Sequence, residues 1–353
     1  MRDDMKKAIE KIRSYDGPAL RLMEVCGTHT MQMYKTGIRQ LLPEHVRVVS
    51  GPGCPVCVTP SNYIDHAAAI ARQHDVTILT YGDMIRVPGN TGSLESERAK
   101  GADIRIVLSP LEAVEAALSQ RDKNFVFLAV GFETTTPATA LAVRHAEEAA
   151  LKNLHFLLAH KTMPPALRYL MEAKNRIDAF IYPGHVAAIT GMKPFHDIME
   201  AGMSGVVTGF EAEDLVRGIR ILLSQKAKGK PFCVNAYERV VPDNGNPAAR
   251  KLADDIFEPC DAVWRGLGLL HDSGLQFRGK YSEYDAGSLY PFNSIAAEPP
   301  GCMCGSVLTG EIEPAECALF GHTCNPSCPV GACMVSSEGS CAAAYRYQAE
   351  VNV

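Results

Sequence analysis

The sequence predicts an α/β protein: two Rossmann-like parallel-sheet domains followed by a smaller, less regular cysteine-rich domain. Three observations predict it. Short continuous apolar runs alternate with stretches of helical spacing through the first two thirds of the chain, which is the pattern of parallel strands covered on both faces by helices. The alternation stops after Gly229. Seven of the twelve cysteines then crowd between Cys302 and Cys341, leaving five for the rest of the 353 residues.

Taken in order, Asp4–Ser14 is a charged amphipathic helix whose packing partner the sequence leaves unassigned. Strands are expected at Leu20–Val25, Val46–Ser50, Val76–Tyr81, Ile104–Ser109, Phe125–Val130, Leu154–His160, Ala179–Tyr182 and Gly205–Thr208, each an apolar, largely β-branched run. Helices are expected at Tyr63–Gln73, Leu111–Ser119, Ala138–Lys152, Pro165–Ala173 and Ala212–Ser224. The polar segment Ser119–Asn124 divides the series, giving α/β domains at 15–122 and 123–229. Residues 230–353 form the third domain.

Composition narrows the function. At this length the chain buries cores of its own and is no disulfide-stapled scaffold. A net charge of −5 gives no overall field for nucleic acid or anionic lipid, and neither is expected as a partner. The N-terminus lacks the apolar core of a secretory signal, and no run approaches the ~18 residues of a membrane span. A cytoplasmic location is expected, and there twelve cysteines argue for metal ligation or thiol chemistry over structural disulfides.

The unusual residues gather at the carboxyl ends of expected strands, the edge where open parallel sheets bind ligands. Cys26 follows a strand and precedes a helix with Thr28 or Thr30 as candidate caps, a setting that favours a thiolate; His29 is a base, hydrogen-bond partner or second ligand for it. A small core cysteine is the plain alternative. In GPGCPVC, Cys54 and Cys57 precede a helix expected to start at Thr59-Pro60; such a pair suits dithiol–disulfide exchange better than half of a zinc knuckle, because the chain has no second Cys-x-x-Cys. The C-terminal cysteines are 302, 304, 317, 324, 328, 333 and 341. Six residues separate Cys317 from Cys324 and seven separate Cys333 from Cys341, which places an iron–sulfur cluster ahead of zinc, although seven thiols for four places leave the ligands open. Glu133 in GFETTTP is expected to orient His29 or a basic group, and His185 in YPGHV is as well explained as a turn residue. No Walker loop or dinucleotide fingerprint occurs.

Together CGTHT (Cys26–Thr30), GPGCPVC (Gly51–Cys57), GFETTTP (Gly131–Pro137), YPGHV (Tyr182–Val186), ECALFGHTC and GACMVSSEGSCAAAYRY resemble the HypD family of hydrogenase maturation factors over almost the whole chain. The resemblance implies assembly of the [NiFe]-hydrogenase iron with its two cyanides and one carbon monoxide, alongside the chaperone HypC and the cyanide donor HypE. It implies a monomer entering heteromeric complexes, more a redox-active assembly scaffold than a turnover enzyme. It also implies one [4Fe-4S] cluster, iron bound at Cys26 beside His29, and a Cys54/Cys57 pair cycling between dithiol and disulfide. The cluster ligands it suggests are Cys317, Cys324, Cys333 and Cys341, with Cys304 as the substitute and Cys302 and Cys328 spare. Cys233 and Cys260 are expected to be structural. A non-catalytic scaffold with a structural cluster, and a generic iron–sulfur thiol oxidoreductase, are the alternatives.

Overall fold

Two parallel sheets dominate the computed structural model, which describes residues 2–73, 75–172, 177–226 and 228–348. Ala173, the last residue of one expected helix, and residues 349–353 of the third segment lie outside the described residues. Helix α1 (Arg2–Arg13) leads to β1 (Leu20–Glu24), α2 (Gly27–Lys35) and β2 (Val46–Ser50). The single-turn α3 (Pro55–Val58) and α4 (Ser61–Gln73) precede β3 (Val76–Thr80), α5 (Leu94–Ala99), β4 (Ile104–Ile106) and α6 (Pro110–Ser119). The alternation continues through β5 (Asn124–Gly131), α7 (Thr136–Glu148), β6 (Leu154–His160), α8 (Met163–Glu172) and β7 (Ala179–Pro183). Then come α9 (Gly184–Thr190), α10 (Lys193–Glu200), β8 (Ser204–Thr208), α11 (Ala212–Lys226) and β9 (Cys233–Asn235). Helix α12 (Pro247–Ile256) introduces the antiparallel hairpin of β10 (Phe257–Trp264) and β11 (Gly268–Phe277), and short helices α13 (Ala286–Leu289) and α14 (Cys304–Leu308) precede α15 (Ser340–Gln348). Among the described residues no helix is long and apolar enough to cross a membrane.

The α/β class is as expected, but the strands interleave. One sheet runs β2-β1-β7-β8-β9 and the other β4-β3-β5-β6, all parallel. Sheet membership therefore does not follow the division at residues 122 and 123. Strands β3 and β5 pair directly across it, Val76 opposite Asn124, and β1 pairs with β7, Leu22 opposite Ala179. The expected strand at Ile104–Ser109 stops at Ile106, because Ser109 turns to cap α6: its hydroxyl accepts from Leu111 N at 3.2 Å, with Pro110 in the first turn. The N-terminal helix also finds its place. Its Ile12 is fully buried in the core formed by β1, β2, β8 and α11.

Candidate functional site

Cys26, at the carboxyl end of β1, is itself the N-cap of α2; neither threonine takes that place. Its extended backbone turns the chain into the helix, and its thiol lies over the amides of Thr28 and His29. Those amides favour a thiolate, yet burial outweighs them. The Cys26 thiol is pushed up to about 12 by desolvation, helped by the nearby charges of Glu338 and Glu24, although the residue keeps some exposed surface. Burial thus opposes the expected thiolate, and a bound cation would have to displace the proton.

The GPGC turn lies directly on this cap. Gly27 N donates to Gly53 O at 3.0 Å, and a Cβ on Gly53 would stand 2.2 Å from Cys26 N and 2.3 Å from its Cα. Only glycine permits that approach. Cys54 and Cys57 follow at once, joined as a disulfide across α3, with Cys54 as N-cap accepting from Cys57 N at 3.2 Å. A single helical turn at Pro55 precedes the expected helix, because Cys54 supplies a cap and Pro55 the preset φ; the expected helix itself follows Thr59-Pro60 as α4, from Ser61. Both cysteines are buried, at 3% and 0% exposure. On its far side Cys57 Sγ lies 4.0 Å from Ala332 O, next to Cys333.

His29 is fully buried at the sheet edge. Its Nε2 pairs with Gly209 O at 2.9 Å, which leaves Nδ1 without a hydrogen-bond partner, and its ring stacks on Phe210 at 4.7 Å. Phe210 in turn stacks on His185 at 3.8 Å, so the YPGHV histidine belongs to the same cluster. Burial lowers His29 to about 4 and keeps the ring neutral. Glu133 is elsewhere: its Oε1 accepts from Met163 N at 2.8 Å and its Oε2 has no partner, so it does not orient His29. Burial raises it to about 7.

Two carboxylates at the site escaped the sequence reading. Glu24 is buried beneath Cys26, accepting from Thr30 Oγ1 at 2.5 Å and from Cys26 N at 3.3 Å, and burial raises it to about 8. Its signal was a charged residue inside the apolar run before Cys26. Glu338 accepts from Thr28 Oγ1 at 2.6 Å, and its Cβ would meet a Cβ placed on Gly27. The SSEG turn thus closes over the CGTH motif.

All four nominated cluster cysteines lie in one region. Cys317, Cys324 and Cys341 line a cavity with Cys302 and Cys304, and Cys333 contacts Cys304 and Cys341 from beneath. Cys302 Sγ and Cys304 Sγ are 3.3 Å apart, and the hydrogen bond between the two leads the effects that hold Cys302 down to about 7. Cys328 is exposed. Among the described residues no three His, Cys, Asp or Glu side chains come close enough to hold a single metal ion. A buried cation also escaped the sequence reading. Arg265 ties α3 to the β10–β11 turn, donating to Thr59 O at 2.8 Å and Pro88 O at 3.1 Å, and its Nη1 has no partner.

The family model described as "HypD: Hydrogenase formation hypA family" matches residues 3–348. The chain belongs to the HypD family of hydrogenase maturation factors. It is similar to the hydrogenase maturation factor HypD of Escherichia coli K12, at 44% identity over 93% of this chain and 89% of that protein. A putative hydrogenase expression/formation protein of Methanocaldococcus jannaschii is 42% identical over 98% and 97%. HypD of Rhodobacter capsulatus is 41% identical over 93% and 89%. The HypD motifs identified in the sequence occupy the geometry above: CGTH and GPGC share one sheet edge, and the SSEG turn covers them.

Proposed function

We propose that this HypD protein assembles the Fe(CN)2CO unit of [NiFe]-hydrogenase in a complex with HypC and HypE, holding the iron at Cys26 and supplying electrons through Cys54 and Cys57. The observation that carries the reading is the seating of Gly53 on the Cys26 cap, which sets the Cys54–Cys57 pair one residue from the proposed iron holder. Iron is the cargo. Soft thiolate suits low-spin ferrous iron, and the buried Nδ1 of His29, three residues on, has no hydrogen-bond partner of its own. Release of cyanide from a thiocyanate takes two electrons; a Cys54/Cys57 dithiol gives both as it closes to the disulfide and loses two protons.

The cysteine-lined cavity fits a [4Fe-4S] cluster in its donor set, with Cys317, Cys324, Cys333 and Cys341 as the proposed ligands and Cys304 as the substitute. When bound, such a cluster exchanges single electrons. The protein's own part is to keep Cys57 buried against the Ala332–Cys333 backbone, so that the pair is re-reduced from inside the fold. Infrared spectroscopy of the anaerobically purified chain with HypC and HypE tests the proposal. Cyanide and carbonyl stretches lost in Cys26→Ser support it, and iron-loaded complex without those bands overturns it. Should Cys57→Ser still acquire both ligands, the protein is an iron scaffold and the pair has no redox part.

A further inference from the structure

The Cys-x-Cys pair at 302 and 304 stands outside the four proposed ligands, Cys304 entering above only as their substitute. The two sulfurs are 3.3 Å apart at the rim of the cysteine cavity. A second feature keeps them there. A Cβ on Gly331 would lie 2.5 Å from Cys304 Sγ and 2.7 Å from Cys302 Sγ, so the turn that carries Cys333 leaves room for both sulfurs side by side only because it is glycine. The partners differ in access: Cys302 is half-buried, whereas Cys304 is 3% exposed and contacts Cys333 and Cys341. A disulfide needs ~2.05 Å between sulfurs, within reach of modest side-chain rotation from this starting distance.

The geometry points to Cys302 and Cys304 as a second dithiol–disulfide couple, closed by low-molecular-weight disulfides while the cavity holds no cluster, that gates cluster uptake. The half-buried Cys302, as thiolate, attacks one sulfur of the small disulfide and expels the other as a thiol. Cys304 then attacks the mixed disulfide at the Cys302 sulfur and expels the second thiol. Two protein thiols are oxidised, one small disulfide is reduced to two thiols, and no other atom changes hands. Closure draws the Cys304 sulfur toward the rim, away from Cys333 and Cys341. The couple stands on geometry alone; the gate rests on the cluster reading above.

The full chain, freed anaerobically of iron, is equilibrated with a series of oxidised-to-reduced glutathione ratios, alkylated and mapped by mass spectrometry. The expected result is a peptide spanning Cys302 and Cys304 that loses both alkylation sites together and is two hydrogens lighter than the dithiol. Cys302→Ser abolishes that species and leaves Cys304 alkylatable; a melting curve confirms that this variant folds. Cys304 bridged to Cys333 or Cys341, a lasting glutathione adduct on Cys302, or full alkylation at oxidising ratios overturns the couple. Iron and sulfide uptake by the oxidised form should slow roughly tenfold and recover with dithiothreitol. Equal uptake by both forms overturns the gate. Uptake by neither overturns the cofactor reading and the gate with it, while the mass map still decides the couple.

Discussion

Replacing Gly53 by alanine tests the contact on which the site reading depends. The added methyl would stand 2.2 Å from Cys26 N and 2.3 Å from Cys26 Cα, and both are backbone atoms of a helix cap that cannot rotate aside. The GPGC turn must therefore lift off α2 and give up the bond from Gly27 N to Gly53 O. Overpacking of this kind costs ~1–3 kcal/mol and a lost backbone bond about 1 kcal/mol, a total of about 2–4 kcal/mol. With an unfolding entropy of roughly 2 cal/mol/K per residue over a chain of this length, the melting temperature should fall by about 3–5 °C if the chain unfolds as one unit. Gly82→Ala is the control, because its Cβ would meet only Ile106 Cγ2 at 3.7 Å. Circular-dichroism melts of the three proteins, with infrared bands of their complexes, give stability and iron loading together. A Gly53→Ala protein that melts within one degree of Gly82→Ala and carries full bands would refute the idea that this contact sets the site.

The other predictions concern charge and sulfur. Glu133 is raised by burial from 4.5 to about 7, so the folded state binds its proton more tightly than the unfolded chain does. Its contribution to stability is complete below pH 4.5 and is lost as pH rises through 7, a cost of about 3 kcal/mol; Glu133→Gln should flatten that part of a urea-midpoint profile, and an unchanged slope would count against it. His160, lowered to about 4 by burial, acts with the opposite sign: its contribution is present above pH 6.5 and is lost as pH falls toward 4, a loss that His160→Gln should remove from the same profile. Arg265→Met strands the carbonyls of Thr59 and Pro88 and should cost about 2–4 kcal/mol in urea denaturation; a variant as stable as the parent would mean that burying the cation costs as much as its bonds return. Cys26→Ser should lose bound iron in HypC complexes by elemental analysis, whereas Cys57→Ser should keep iron and lose the cyanide stretches.

Local chemistry was legible in the chain and long-range pairing was not. The apolar runs at Leu20, Val46, Val76, Phe125, Leu154, Ala179 and Gly205 all became strands, since continuous burial on both faces leaves a direct trace in composition. That trace carries no information on which strand lies beside which, so the break at Ser119–Asn124 read as a boundary although β3 and β5 pair across it. Strand β9 is three half-buried residues at a sheet edge and left no apolar run to read. At the site, Cys26, His29, Cys54 and Cys57 stood out because cysteine and histidine are conspicuous between a strand and a helix. Glu338 and Arg265 did not. The first acts on residues 310 positions away and the second through carbonyls, which every residue possesses.

Interleaving has a consequence for how the site is held. Cys26 leaves β1 and the GPGC turn leaves β2, but Gly209 and Phe210, which fix His29, follow β8, and His185 follows β7. The strands that build this one edge are separated by the whole of the β3–β6 sheet. The contacts that complete it span 180 residues from His29 to Gly209, 275 from Cys57 to Ala332 and 310 from Thr28 to Glu338. Closing loops of that length carries an entropic cost that grows only slowly with length, and the packing of both sheets and the cysteine segment offsets it. A buried Cys26, a neutral His29 and a disulfide against the Cys333 turn therefore each depend on segments far apart in the chain, so loosening the cysteine segment from the sheets should disturb the proposed iron-binding thiol and the Cys54–Cys57 pair together.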